Sequence, residues 1–177
     1  MKILALSDLH GAIGVLDKLA AKIKIIKPDL ITFTGDIVKG KARGEEWLKA
    51  KEENSSPRND LPEIKAEEKE DLDLYHKFYA FLGKLRIPVA VIPGNMDAPK
   101  ERYFKVALES ETTFENIKFV HGKLFKFSRN YIISGFGGEI TENEAENFFV
   151  QMYPRWEAEF GLSDLNYFEQ DRILLFH

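Results

Sequence analysis

Short apolar runs alternate with amphipathic stretches along the chain. Ile3-Leu4-Ala5-Leu6 is the first run, closed by Ser7-Asp8. From Ile13 to Ile26, Leu16, Leu19, Ala20, Ile23 and Ile26 recur at the spacing of one helix face, and Pro28 stops that helix. Leu30-Ile31-Thr32-Phe33-Thr34 is rich in branched and aromatic side chains and reads as a second strand. The polar stretch from Lys39 to about Ile64, carrying Ser55-Ser56-Pro57, is expected to be an exposed excursion. Leu72, Tyr75, Tyr79 and Leu82 then place a long amphipathic helix over Glu63 to Leu85. Ile87 to Ile92 is a third apolar strand, ended by Pro93-Gly94. A helix is expected over Pro99 to Leu108. Short strands follow at Ile117 to Val120, Leu124 to Phe127 and Tyr131 to Ser134. Glu142 to Phe160 reads as a helix broken near Pro154, and Ile173 to His177 as a last strand.

Uninterrupted apolar strands separated by helices predict an α/β fold whose parallel sheet is covered on both faces. Ligands of such sheets sit outside the carboxyl ends of the strands. The chain has 177 residues, which suits one domain over 1–177, with a polar and helical insertion at about 40–75. There is no cysteine, which excludes a disulfide scaffold, a thiolate zinc site and a cysteine nucleophile. No apolar run approaches the ~20 residues of a membrane span. Met1-Lys2 leads straight into a strand without a signal-peptide pattern, so a cytoplasmic protein is expected. The net charge is −4. Lys41 to Asp73 holds 7 basic and 11 acidic residues, so the whole excess lies there. No basic stripe suggests nucleic acid as a partner. The prominence of Lys and Glu suits a heat-adapted source.

The chemistry-bearing residues fall at the strand ends. They are Asp8-Leu9-His10-Gly11, Gly35-Asp36, Gly94-Asn95-Met96-Asp97 and His177. All offer oxygen or imidazole donors, which suit manganese, iron, zinc or magnesium. Asp8 and His10 are two apart, and strand alternation would turn both to one side. Gly35 and Gly94 let the backbone turn sharply beside a ligand residue. Taken singly, Gly-Asp and Gly-Asn are ordinary turn dipeptides. Their order at the ends of successive strands is what sets them apart.

Ser7-Asp8-Leu9-His10-Gly11, Thr34-Gly35-Asp36 and Pro93-Gly94-Asn95-Met96-Asp97 resemble the first three blocks of the calcineurin-like metallophosphoesterases, and His177 stands where the fourth begins. The resemblance implies a four-layer αββα sandwich around two divalent metal ions, here without its C-terminal strands. It implies that Asp8 and His10 hold one metal, Asp36 bridges both, and Asn95 and His177 hold the other. It also implies in-line attack on a small phosphoester by a metal-bridging hydroxide, with Asp36, Asn95 and Asp97 as catalytic residues. Met96 replaces a histidine usual in the family, as in a Gly-Asn-x-Asp branch that acts on phosphodiesters. Asp97 is open to two readings, orientation of the site or a helix N-cap before Pro99. The family's final Gly-His-x-His block has no counterpart up to His177. The expectation is a piece of a longer chain. The alternatives are a homo-oligomer that completes the site and a non-catalytic binding protein.

Of the remaining candidates, His121 is expected to be structural and His76 exposed. Gly135-Phe136-Gly137-Gly138 is expected to be a turn bordering a pocket. Phe148, Phe149, Tyr153, Trp156 and Phe160, like Tyr103 and Phe104, read as packing residues. The acidic insertion reads as a solvated face, or as a lid or oligomer contact over the site, with Trp47 and Leu48 as its apolar handles.

Overall fold

The computed structural model describes residues 1–144 and 147–177. Four parallel strands, β1 (Ile3–Leu6), β2 (Leu30–Phe33), β3 (Val89–Val91) and β4 (Ile117–Phe119), lie side by side in that order. Three helices, α1 (Leu16–Ile26), α3 (Pro62–Leu85) and α4 (Lys100–Thr113), cross between them, while α2 (Lys41–Glu53) precedes α3 in the β2–β3 connection. β5 (Phe125–Lys126), β6 (Tyr131–Phe136) and β9 (Asp171–Phe176) form a second sheet, with β5 antiparallel and β9 parallel to β6. β7 (Glu139–Thr141) and β8 (Met152–Pro154) make a small parallel pair, and α5 (Arg155–Gly161) follows β8. Among the described residues no helix is long and apolar enough to cross a membrane.

Side-chain alternation builds the layers. Ile31 and Phe33 of β2 and Val89 and Val91 of β3 point to the helical side, where Tyr75, Phe78, Tyr79, Leu82, Tyr103 and Val106 meet them. Leu30, Ala90 and Ile92 point the other way, onto Ile133 and Leu175 of the second sheet. The order is therefore helices, sheet, sheet, as expected. At the join Gly135 leaves no room for a side chain, because an added Cβ would lie 2.5 Å from Leu175 O and 3.1 Å from Ile92 Cγ2.

Three expectations are corrected. The polar stretch after β2 is not an exposed excursion: it folds as α2 and buries Arg43, Glu46 and Ala50. Buried polar groups do not register in a hydrophobic pattern. On α3 the buried stripe runs through Asp71, Tyr75, Phe78, Tyr79 and Leu82, and Leu72 faces outward. No helix spans Glu142 to Phe160: outside 145–146, which lie beyond the described residues, the chain runs through bends into β8 and then the short α5. Of the aromatics there, Phe149 and Tyr153 are buried, whereas Trp156 and Phe160 are exposed.

His121 is structural. Its ring lies among Phe104, Phe119, Phe136 and Tyr153, and Nδ1 accepts the Gly137 N–H at 3.0 Å. Burial, with smaller contributions from Lys100 and Lys123, pushes its pKa down to about 3. An unfolded histidine titrates near 6.5. As pH falls below that value the unfolded chain takes up the proton first, so stability present above about 6.5 is lost down to about 3. We expect His121→Gln to be less stable than the wild type at pH 7.5, with the gap narrowing steadily towards pH 4 in denaturant titrations. A gap independent of pH would contradict a buried neutral imidazole.

Candidate metal centre

Beyond β1 the backbone continues to pair with the turn that follows β2. Asp8 N donates to Gly35 O at 3.0 Å, His10 N to Asp36 O at 2.9 Å and Gly11 N to Ile37 O at 2.8 Å. Asp8, His10 and Asp36 all take positive φ, at 56°, 43° and 58°. Each such residue costs on the order of 1–3 kcal/mol, offset here by the backbone bonds. The left-handed turn brings Asp8 and His10 together. Strand alternation does not, because β1 ends at Leu6.

The turns after β2 and β3 press together at two glycines. A Cβ on Gly35 would lie 1.9 Å from Gly94 N, and one on Gly94 would lie 2.1 Å from Asp36 Oδ1. Asp97 locks this contact. Its fully buried carboxylate accepts from Asp36 N (2.8 Å), Ile37 N (3.0 Å) and Gly94 N (2.9 Å). The N-cap reading of Asp97 is thereby set aside: the cap of α4 is Pro99, and no side chain caps that helix. Met96 N donates to Asp36 Oδ1 at 2.8 Å and leaves Oδ2 facing the site.

Two imidazoles approach that one oxygen. His10 Nε2 lies 3.7 Å from Asp36 Oδ2 and 3.4 Å from Asp8 Oδ1. The Nε2 of His177, just past β9, lies 3.6 Å from the same Asp36 Oδ2 and 3.3 Å from Asn95 Oδ1. Its Nδ1 is 2.6 Å from Thr34 O. A carbonyl only accepts, so Nδ1 carries the proton and the neutral ring turns its Nε2 lone pair to the site. Lone pairs of His177, Asn95 and Asp36 then face one another at short range, an arrangement that a cation relieves. An imidazole whose far nitrogen donates to a carbonyl is also how metal-binding histidines are commonly held.

The charge balance agrees. Burial raises the Asp36 carboxyl above its ordinary range, with His177 opposing. Burial and the charge of Asp36 push Asp97 up to about 7. Among the described residues only histidines lie within ion-pair distance of Asp8 and Asp36. One donor atom each from Asp8, His10 and Asp36 lie within 4.8 Å of one another, a group able to hold a metal ion. Oxygen and imidazole donors short of positive charge fit a divalent cation.

Sequence reasoning missed two residues that brace the third motif. Gln151 is fully buried; its backbone N–H donates to Asn95 O at 2.9 Å, and its side-chain amide donates to Asp97 O. Its only signal was a lone amide inside the apolar run Phe148 to Tyr153. Arg43 is the second. Gly135-Phe136-Gly137-Gly138 borders no cradle: Gly137 packs on Pro93, where a Cβ would lie 2.0 Å from the carbonyl oxygen. A cavity of about 690 Å³ opens between α2 and α3, reaching Gly11 and Lys39 beside the first two motifs.

A family model described as metallophosphoesterase, calcineurin superfamily, matches residues 1–177. The chain belongs to this superfamily of metal-dependent phosphoesterases. One solved crystal structure is 30% identical, with a TM-score of 0.89, over 99% of this chain and 68% of its own. The crystal structure of the Thermus thermophilus protein TT1561 shares the metallophosphoesterase-like fold at 24% identity, with a TM-score of 0.76, over 99% of this chain and 66% of its own. The chain thus spans about two thirds of the length of these relatives. A search of curated proteins finds no match.

Asp97→Asn turns an amide donor towards backbone donors in this metallophosphoesterase. We expect it to cost about 2–3 kcal/mol in denaturant unfolding. A loss below about 0.5 kcal/mol would remove Asp97 from its locking role.

Proposed function

We propose that the protein hydrolyses phosphodiesters at a binuclear centre in which Asp36 is shared between two divalent cations. The supporting observation is the pair of imidazoles, His10 and His177, that approach the same Asp36 Oδ2 at 3.7 and 3.6 Å from opposite ends of the chain. Asp8 and His10 would hold one ion, and Asn95 and His177 the other. When bound, such a pair of ions makes water nucleophilic at neutral pH and offsets the charge of phosphate oxygens.

The chain's own residues do the rest. Met96 N engages Asp36 Oδ1, so only Oδ2 is offered to the site. Thr34 O holds the proton of His177 on Nδ1 and keeps Nε2 a donor of electrons. Asn95 brings an oxygen donor and an NH₂ that can hydrogen-bond a phosphate oxygen. Asp97 holds both turns in register. Methionine at position 96 neither donates a proton nor binds phosphate. The resemblance to the Gly-Asn-x-Asp branch therefore favours a small diester over a monoester.

Calorimetric titration should give two manganese ions per chain, with at least one lost in Asp36→Asn. The same change should lower hydrolysis of bis(p-nitrophenyl) phosphate by more than about a hundredfold. Met96→His should raise the monoester-to-diester rate ratio. Saturable manganese binding with no turnover of either ester would favour a binding protein over an enzyme.

A further inference from the structure

The β2–β3 connection does more than cover the site. Arg43 of α2 is completely buried. Its Nη2 donates to Asp71 Oδ2 of α3 at 2.6 Å, and Nη1 and Nη2 lie 3.5 and 3.3 Å from Met96 O. Arg102 of α4 reaches the same Asp71 Oδ2 at 3.6 Å through Nη1, while its Nη2 donates to Ala98 O at 3.4 Å. The carbonyl between these two, that of Asp97, accepts from Gln151. Three consecutive carbonyls, Met96, Asp97 and Ala98, are thus each engaged by a side chain from outside the turn. On the turn's other edge, Met96 N and the Asp97 carboxylate fix Asp36.

A buried guanidinium on a buried carboxylate gives little net stability compared with apolar side chains of similar volume. Its distinguishing property is direction: the planar fork fixes what it bonds. Gly40 and Gly44 add to the fit, because a Cβ on either would crowd Met96 Cε, at 2.8 and 3.2 Å.

We infer that Arg43, anchored on Asp71 with Arg102, is a positioning residue that holds the Gly94–Asp97 turn so that Asn95 and Asp36 present their oxygens to the metals. Arg43 touches no substrate, since it has no exposed surface. The inference extends the proposed metal centre, but its first readout needs no metal.

That readout is amide hydrogen exchange in the metal-free protein. The variant is Arg43→Met with Asp71→Leu, which removes both charges and retains bulk. Exchange at the Asp36, Ile37 and Met96 amides should quicken at least about tenfold, while the β2 and β3 amides stay protected. Manganese affinity should fall by about ten- to a hundredfold. Glu67→Gln is the control. Glu67 accepts from Ala42 N and Arg43 N and makes no hydrogen bond to the turn, so this change should lower Tm and leave exchange and affinity alone. If the double variant does not fold, Arg43→Lys keeps a charge beside Asp71 without the fork and should quicken the same amides. Unchanged exchange at these amides in a folded variant overturns the inference. Quickened exchange in a protein whose wild type binds no manganese supports the positioning role and overturns the metal-centre reading instead.

Discussion

Asp97 carries an unusual burden for one side chain. Its carboxylate accepts three backbone N–H groups, two from the turn after β2 and one from the turn after β3. Without it, three donors would be buried beside a contact too tight for a Cβ. Each unsatisfied donor costs about 1–3 kcal/mol. The left-handed backbone at Asp36, the approach of Gly35 to Gly94 and the direction of Asn95 all follow from that grip. The catalytic end of the sheet is built from hydrogen bonds, whereas the rest of the sheet is held by apolar layers.

The same carboxylate makes the site electrostatically incomplete. Asp36 and Asp97 are buried close enough for each to resist the other's ionisation. The molecule directs its arginines elsewhere, to Asp71 and to the carbonyls of the third turn. Neutral imidazoles and a neutral amide surround Asp36, and these donate electron pairs without supplying charge. A polypeptide that excludes its own cations from a cluster of carboxylates leaves that place to an external one. The superfamily's dependence on metal thus has a visible physical basis in this chain.

Much of this was legible in the residues. The apolar runs marked β1 to β4, β6 and β9, because strands buried on both faces leave an unbroken apolar signature. The motif residues lay at the ends of those runs, and the structure brings Asp8, His10, Asp36, Asn95 and His177 together. What escaped the sequence was the support. Arg43, Asp71 and Gln151 are polar residues in the interior, and a hydrophobicity pattern reads such residues as surface. The same pattern puts Leu72 in the core for the converse reason. The bends before β8 gave a helix-like spacing by coincidence of aromatic positions. Strand alternation names the right pair, Asp8 and His10, by the wrong geometry.

His177 bonds to Thr34 across 143 residues of chain. One half of the donor set belongs to the first sheet and the other half ends the second, so any ion held by both spans nearly the entire contour of the polypeptide. Such an ion acts as a reversible cross-link. Closing a loop of this size restricts the unfolded ensemble as a long-range disulfide would, by about 4–5 kcal/mol in the chain-entropy picture. In a chain without cysteine, the ion that performs the chemistry would also be its longest staple.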